Sequence, residues 1–414
     1  LGFARDYWIQ PAPAYVLLVG DSSYDYRDYE GLGTVNYLPV KMLHDDDSLE
    51  TPSDNWYVCL DGEGDFLPEM RIGRLPARTA GEVTTMVNKI FAYEAADESQ
   101  DWAGRVMLAA DDENQFEAMD ESVAQRVPSS YETNTIYLSD YALDSTCAAD
   151  ILAGINRGAF ITHYAGHGSV ELWASEDIFN TSDVSSLTNG VRLPFVVTPT
   201  CYNGYFLYPE AYGYESLAEE LVRHADGGAI ACFSPAGLSS PPHQKAMVDG
   251  LFEAIFDEGT FRLGPAVAAA QQKAFGTIGE RSRVVTQFFI LFGDPALKLK
   301  QWAAFASFAV SQSATNRPVY PGGTLTIGWT GQVALGAVNI ELWLGTNLVT
   351  TLTNNLSSTN ANMTWQTVLP ASLQPGRDYS VAVVDADTPG NFTFSATFRV
   401  ALKAAPWLNL LLGR

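Results

Sequence analysis

The sequence predicts an α/β domain that is followed by an all-β sandwich. Up to residue 303, short apolar runs rich in β-branched residues alternate with stretches of helical periodicity, which is typical of a mostly parallel sheet covered by helices on both faces. Beyond residue 303, Thr, Val, Asn and Gly dominate, and short alternating segments are separated by turns such as Pro321-Gly-Gly323. We therefore predict an α/β domain over 1–303, with a further division into 1–100 and 101–303, a sandwich over 304–402 and a short tail over 403–414.

The elements follow from these patterns in chain order. The apolar runs predict strands at Tyr15–Val19, Arg105–Ala110, Thr135–Leu138, Ala159–Tyr164, Pro194–Thr198, Gly228–Phe233 and Gln287–Phe292. Helical periodicity predicts helices near Gly81–Ala96, Phe116–Arg126, Ala148–Asn156, Glu215–Ala225, Gln244–Phe256 and Pro265–Phe275. Alternation in the last hundred residues predicts strands at Thr324–Trp329, Val338–Trp343, Met363–Thr367, Tyr379–Val384 and Thr393–Val400.

Composition excludes several classes of protein. The 414 residues carry 24 Lys and Arg against 48 Asp and Glu, so the formal net charge is −24. This charge argues against binding to nucleic acid or to an anionic membrane surface. No apolar run reaches the roughly 18 residues that a membrane-spanning helix needs. The chain starts at Leu1 without Met or a signal-like segment, so we expect a fragment or a mature product.

Two segments carry residues that are suited to catalysis. His167 follows an apolar strand and lies between two glycines, and Cys201 follows the next apolar strand, 34 residues later. Side chains at the carboxyl ends of parallel strands meet at one edge of an open sheet, where such folds bind ligands. A thiol and an imidazole suit acyl transfer, in which the thiolate attacks a carbonyl and the imidazole transfers the proton. The backbone N–H groups of Gly168 and Cys201 are the expected oxyanion donors.

These two segments resemble the His and Cys blocks of the gingipain family of cysteine peptidases, in the wider caspase-like clan. The first block is Tyr164-Ala-Gly-His-Gly-Ser169 with Trp173 a few residues on, and the second is Cys201-Tyr-Asn-Gly-Tyr-Phe206. Three shorter segments also match, in order over residues 10–300. They are Leu18-Val-Gly-Asp21, Arg71-Ile-Gly-Arg-Leu75 and Phe292-Gly-Asp-Pro-Ala296. The resemblance implies a caspase-like α/β fold and a catalytic dyad of Cys201 and His167.

The resemblance also implies residues around the dyad. An acidic residue after the strand that ends at Ala110 would orient the imidazole, and Asp112 or its neighbour Asp111 stands there. Arginine-specific members of the family have an Asp at the base of the primary pocket, early in the next helix. The matching residue here is Asp120, which would pair with a basic substrate side chain. We expect Trp173 and Ser234 in the walls of this pocket.

Acidic loops suggest a metal ion. Asp45 and Asp47 lie in one loop, and Asp61 and Asp65 lie in another that contains two glycines. Carboxylate oxygens on flexible turns are what calcium needs, and gingipain-like enzymes bind calcium. These four residues are therefore the candidate calcium ligands. No dinucleotide fingerprint or phosphate-binding loop is present in the sequence, so we expect no organic cofactor.

The sequence thus predicts a secreted or cell-surface cysteine endopeptidase that hydrolyses polypeptides, with a preference for bonds after Arg or Lys. The last hundred residues resemble an immunoglobulin-like domain of extracellular surface proteins, which suggests attachment to a cell surface. Two alternatives remain open. One is a non-enzymatic surface adhesin with a degenerate peptidase domain. The other is a transpeptidase or sorting enzyme that uses the same dyad.

Overall fold

The computed structural model divides into two compact units, the first built mainly from residues 1–301 and the second mainly from 302–414. The structure describes all residues except 3–6, 8–11, 46–47, 63, 97–100, 278–284, 301–308, 315–317, 331–335, 359–361, 387–391 and 402–414. The predicted domain boundary near residue 303 and the predicted tail 403–414 therefore lie outside the described residues. Within the described part of the chain, no helix combines the length and apolar character that crossing a bilayer requires.

An eight-stranded sheet forms the centre of the first unit, with the strand order β1-β4-β12-β11-β10-β7-β5-β6. Its strands are β1 Tyr15–Val19, β4 Arg71–Leu75, β5 Arg105–Ala110, β6 Glu132–Tyr137, β7 Ile161–Ala165, β10 Phe195–Val197, β11 Ala231–Pro235 and β12 Phe289–Phe292. Two small antiparallel pairs lie outside this sheet, β2 Lys41–Asp45 with β3 Ser48–Ser53, and β8 Leu172–Trp173 with β9 Phe179–Asn180. Because strands from both sides of residue 100 share one sheet, the expected division at that point does not separate two sheets.

Strand direction determines where the loops meet. Strands β5, β6, β7, β10 and β11 are mutually parallel, and β11 pairs with β12 in the antiparallel sense. His163 of β7 lies opposite Leu108 of β5 on one side and opposite Val197 of β10 on the other. The carboxyl ends of β5, β7 and β10 therefore lie side by side at one edge. The mostly parallel sheet that the sequence predicts is confirmed, with one antiparallel pairing.

Helices accompany the strands of this unit. They are α1 Ala80–Ala95, α2 Asn114–Ala124, α3 Asp144–Arg157, α4 Thr181–Val184, α5 Leu217–Arg223, α6 Pro241–Phe252 and α7 Leu263–Thr277. Short 3-10 turns lie at Asn55–Tyr57, Asp101–Gly104, Leu138–Asp140 and Glu210–Tyr212, and a π-helical turn lies at Glu253–Asp257. Helix α1 begins with a capping box, in which Thr79 and Glu82 each bind the backbone of the other. Helix α5 begins in the same way with Ser216 and Glu219.

The second unit is the predicted β-sandwich. One sheet has the order β13-β14-β17, and the other has the order β16-β15-β18-β19 with β20 also on β18. The strands are β13 Ala309–Gln312, β14 Thr324–Thr330, β15 Gly336–Leu344, β16 Asn347–Ser358, β17 Asn362–Val368, β18 Gly376–Asp385, β19 Phe392–Phe394 and β20 Phe398–Val400. Alternate residues of β14 and β15 face a shared apolar core that includes Ile327, Trp329 and Ile340.

A buried ion pair fixes β4 inside the first unit. Arg74 is fully buried, and its guanidinium donates to both carboxylate oxygens of Asp54 at 2.8 and 2.6 Å. It also donates to the Gly20 carbonyl at 2.6 Å and lies over the Phe206 ring at 4.8 Å from its centroid. The side chain therefore links β4 to the end of β1 and to the segment that follows Cys201.

Replacing Asp54 with Ala should destabilise the protein by about 3–5 kcal/mol, because the buried Arg74 cation would lose its counter-ion. The measurement is the free energy of unfolding in urea. Arg157→Ala is the control, because the exposed Arg157 side chain pairs with Glu132 at the surface, where such a pair contributes less than about 1 kcal/mol. Equal losses from the two variants would contradict the structural role given to Arg74.

Candidate active site

The loop that carries His167 leaves the sheet at the end of β7, and hydrogen bonds to its backbone hold it in place. The Asp111 carboxylate is buried and accepts a hydrogen bond from the His167 N–H at 2.9 Å. The backbone N–H of Asp111 donates to the Ala165 carbonyl at 3.0 Å. Asp111 therefore positions the main chain of the loop, since its contact is to the His167 backbone and not to the imidazole.

Tyr164 and Trp173 support the same loop from inside. The Tyr164 hydroxyl donates to the His167 carbonyl at 2.7 Å, and its ring stacks on Trp173 with centroids 4.5 Å apart. Trp173 is fully buried and also packs on Phe179. The prediction that Trp173 forms a pocket wall is therefore corrected, because its indole lies under the loop and has no surface that a substrate can reach.

The Cys201 loop is held by residues that precede and begin α6. Gln244 donates to the carbonyls of Thr200 and Ser239 at 2.9 and 3.2 Å. The Cys201 thiol is half-buried and donates to the Ser239 carbonyl at 3.5 Å. Burial raises the pKa of this thiol, although the Ser239 contact partly opposes the shift. A thiol with a raised pKa needs a base to become a nucleophile at neutral pH.

The two loops pack directly against each other. Asn203 is buried, and its side-chain amide donates to the carbonyls of Ser169 and Leu172 in the His167 loop. A Cβ atom at Gly168 would lie 2.3 Å from Thr200 Oγ1, so only glycine allows this approach. Tyr202 has a φ of 60°, a strained value for a bulky residue next to the thiol. The chain thus places the predicted dyad residues on two adjoining loops at one edge of the sheet.

The imidazole of His167 contacts two side chains at the start of α2. Its Nε2 lies 3.0 Å from Glu113 Oε1, and its ring meets the Phe116 ring edge-on with centroids 5.4 Å apart. The predicted orienting residue was Asp112 or its neighbour Asp111; Asp112 is exposed, and Asp111 accepts from the His167 backbone N–H. Glu113 makes that contact instead, because it is the residue from which α2 starts and its side chain is not used to cap the helix. The signal in the sequence was the acidic run 111–113, and the residue that contacts the imidazole is Glu113, one position after Asp112.

The other predicted pocket residues face the interior. Asp120 is fully buried on α2, and its Oδ1 lies 2.6 Å from His163 Nδ1. Ser234 is buried in β11 and shares a 2.6 Å hydrogen bond with Thr198. The structure corrects both placements, since neither side chain reaches the surface. The pairing of His163 with Asp120 was missed, because no spacing in the sequence connects a strand residue to a helix 43 residues earlier.

An open cleft of about 300 Å³ lies at the imidazole. Its lining is formed by residues of the His167 loop and the strand β8 that follows it, namely His167, Gly168, Ser169, Leu172, Ala174 and Ser175. Cys201 is on the adjoining loop. The oxyanion role predicted for the N–H groups of Gly168 and Cys201 remains a prediction.

The predicted calcium ligands do not form a complete site among the described residues. Asp47 and the side chain of Asp45 lie outside them. The two oxygens of Asp65 accept hydrogen bonds from the backbone N–H groups of Asp61 and Leu67, both at 3.1 Å, so the loop is closed by its own contacts. Calcium takes about six to eight oxygen ligands, and this loop supplies few.

The described residues also include three neighbouring acids near the cleft, Asp111, Asp112 and Glu113. Two of them already contact His167, one through its backbone and the other through its ring. We therefore assign Asp111 and Glu113 to holding His167.

A thiol and an imidazole lie on adjoining loops at the carboxyl edge of a mostly parallel sheet, an arrangement suited to the chemistry of the cysteine peptidases. Comparison with known proteins agrees. The model of Peptidase family C25 matches residues 2–300, and that of the Kre9/KNH-like N-terminal Ig-like domain matches residues 312–400. The chain belongs to Peptidase family C25.

Two relatives and one solved structure are similar to this chain. The chain is 25% identical to Gingipain R1 of Porphyromonas gingivalis over 373 residues, which cover 83% of this chain and 34% of that protein. It is 25% identical to Lys-gingipain HG66 of the same species over 182 residues, or 43% of this chain and 10% of that protein. The chain thus spans about a third or less of these relatives. The crystal structure of the Arg specific cysteine proteinase gingipain R aligns with this chain with a TM-score of 0.58 and 19% identity. The alignment covers 94% of this chain and 84% of the gingipain R chain, so the two share a fold.

Replacing Gly168 with Ala should destabilise the protein by about 1–3 kcal/mol, because the new methyl group would overlap Thr200 Oγ1. Thr200 Oγ1 has no hydrogen-bond partner among the described residues, so Thr200→Ala in the same chain should restore most of the loss. Chemical denaturation of the single and double variants measures this coupling. Gly276→Ala is the control, since a Cβ atom there meets no neighbour. A double variant as unstable as Gly168→Ala would refute the contact.

Proposed function

We propose that this chain is a cysteine endopeptidase in which Cys201 is the nucleophile and His167 the general base and acid. The observation that carries the proposal is the packing of the His167 loop on the Cys201 loop, with Glu113 on the imidazole. The raised pKa of the Cys201 thiol supports a mechanism in which the thiol is deprotonated as it attacks.

Each residue then has a defined task. His167 accepts the Cys201 proton while the sulfur attacks the scissile carbonyl carbon, and the backbone N–H groups of Gly168 and Cys201 stabilise the oxyanion. The imidazole then protonates the leaving amine, which gives a thioester. A water molecule that is deprotonated by His167 hydrolyses the thioester and returns the thiol. Glu113 contacts Nε2, which orients the ring and leaves Nδ1 for the thiol.

For the substrate, we propose a peptide with Arg or Lys before the scissile bond. Two features support this preference. The acidic residues Glu171 and Glu176 flank the lining residues Leu172, Ala174 and Ser175, and the exposed Asp112 directly precedes Glu113, which contacts the imidazole. The relatives Gingipain R1 and Lys-gingipain carry names that refer to these two residues. Because Asp120 is buried, the proposed pocket uses the carboxylates of Glu171, Glu176 and Asp112 for a basic side chain, since all three are at least partly exposed.

We propose an extracellular or cell-surface location for the protein. The net charge of −24 and the membership of a family that includes the gingipains support it. The sandwich that follows the peptidase unit would attach the enzyme to a surface or to a substrate, by analogy with other Ig-like domains.

Peptide-library cleavage by the intact chain tests the proposal. The wild type should cleave after Arg or Lys, Cys201→Ala should abolish cleavage, and Glu113→Gln should lower kcat roughly tenfold through poorer orientation of the imidazole. Glu117→Gln is the matched control, because Glu117 is on the same helix and contacts Ser139. Cleavage after other residues would discard the basic preference but retain the dyad.

Two outcomes of the same experiment favour the alternatives. Absence of cleavage, together with no alkylation of Cys201 by iodoacetamide, would favour a non-enzymatic adhesin. Ligation products that are found by mass spectrometry after addition of an amine would favour a transpeptidase.

Calcium binding is a separate proposal for the acidic loops at residues 44–50 and 61–65. If it is correct, EDTA should lower the melting temperature, and added calcium should restore it, because bound ligand stabilises the folded state. Asp61→Asn should reduce the calcium effect, whereas Asp226→Asn, in a loop at the end of α5, should leave it intact. An unchanged melting curve in EDTA would exclude calcium as a structural ion.

A further inference from the structure

One face of α2 contacts the segment that carries His167 at three levels. Glu113, Phe116 and Asp120 follow one another at spacings of three and four residues, so they lie on the same side of the helix. Glu113 and Phe116 meet the His167 imidazole, and Asp120 meets the side chain of His163. The helix therefore touches both the catalytic imidazole and the strand that leads to it.

The contact between Asp120 and His163 is completely buried. Neither side chain is exposed, and Asp120 Oδ1 lies 2.6 Å from His163 Nδ1. The second oxygen of Asp120 and Nε2 of His163 have no hydrogen-bond partner among the described residues. The His163 ring meets Phe252 of α6 edge-on, with centroids 5.6 Å apart. A directional hydrogen bond thus joins α2 to β7 in the interior of the first unit.

This pair is a poor source of stability. Burial raises the pKa of Asp120 to about 6, although His163 opposes the shift, so removing the carboxylate from water has a cost. Replacing such pairs with apolar side chains is often neutral or stabilising. The apolar residues Met119 and Val123 on α2 could pack in several neighbouring registers, whereas the short hydrogen bond is satisfied in one only.

We propose that Asp120 and His163 are positioning residues: their buried hydrogen bond fixes α2 on β7, and α2 then holds Glu113 and Phe116 on the His167 imidazole. This inference rests on the proposed peptidase function, because its consequence is the orientation of the catalytic base. A rotation or slide of α2 by a small distance would remove Glu113 from Nε2, since the Glu113–His167 contact is exposed and weak by itself.

Peptidase kinetics on three variants of the full chain test the inference. Asp120→Leu removes the hydrogen bond and should lower kcat roughly tenfold with little change in KM, because the imidazole and not the cleft is disturbed. Asp120→Asn keeps an oxygen that accepts from His163, so it should recover most of the loss. Val123→Ala destabilises the same helix without touching either histidine, and its kcat should equal that of the wild type.

A spectroscopic readout separates this inference from the peptidase proposal. The His167 ring protons lie at the edge of Phe116, so their NMR resonances should move in Asp120→Leu and remain in place in Asp120→Asn and Val123→Ala. The His167 ring resonances are assigned as those that are missing from the spectrum of His167→Gln. An inactive wild type would refute the peptidase function, and the resonances would still test the positioning.

Several results would overturn the inference. Unchanged kcat and unchanged His167 resonances in Asp120→Leu would do so, as would an equal loss in Val123→Ala. If Asp120→Leu fails to fold, the double variant Asp120→Leu/His163→Leu replaces it, because two apolar side chains remove the unpaired buried group. That double variant should fold and still show the reduced kcat; a wild-type kcat in it would refute the role of the hydrogen bond.

Discussion

The close packing of two loops, one after β7 and one after β10, is the constraint on which the proposed catalytic site depends. Gly168 allows the main chain of the first loop to approach Thr200 of the second, and Asn203 binds two carbonyl groups across the same boundary. Neither contact involves the reacting atoms. Both determine whether a thiol on one loop and an imidazole on the other can share a proton, since such a transfer requires hydrogen-bond distance.

Buried polar groups fix the elements that support this packing. Asp111 holds the main chain at His167, and Arg74 links β4 to β1 and to the segment after Cys201. Close packing of two strands also explains two short motifs of the sequence. A Cβ atom at Gly73 would lie 2.3 Å from the Gly293 carbonyl, so the Ile-Gly-Arg and Phe-Gly-Asp-Pro segments are complementary surfaces of neighbouring strands. Their glycines reflect this close approach of the two backbones.

The successes and errors of the sequence-based predictions have a common physical origin. The strands β1 and β5 were predicted to the residue. Every residue of β5 is buried, because this strand is covered on both faces of the sheet. Strand β1 lies at the edge of the sheet and exposes alternate residues, so there the apolar run marks the strand but not burial on both faces. The roles of Asp112, Asp120, Trp173 and Ser234 were assigned from positions along the chain, and the direction of a side chain depends on its neighbours. Trp173 stacks under Tyr164 and Asp120 faces His163, so these conspicuous residues support the site from inside.

The sequence by itself determined the two-domain organisation, the mostly parallel sheet, the β-sandwich and the two segments that bear His167 and Cys201. These features depend on local periodicity and on residue type, which a single chain records directly. Only the tertiary structure decided that Glu113 and not Asp112 meets the imidazole, and that Asp120 pairs with His163. Such contacts depend on the rotation of a helix against a strand that is distant in sequence, and one residue turns a helix by about 100°.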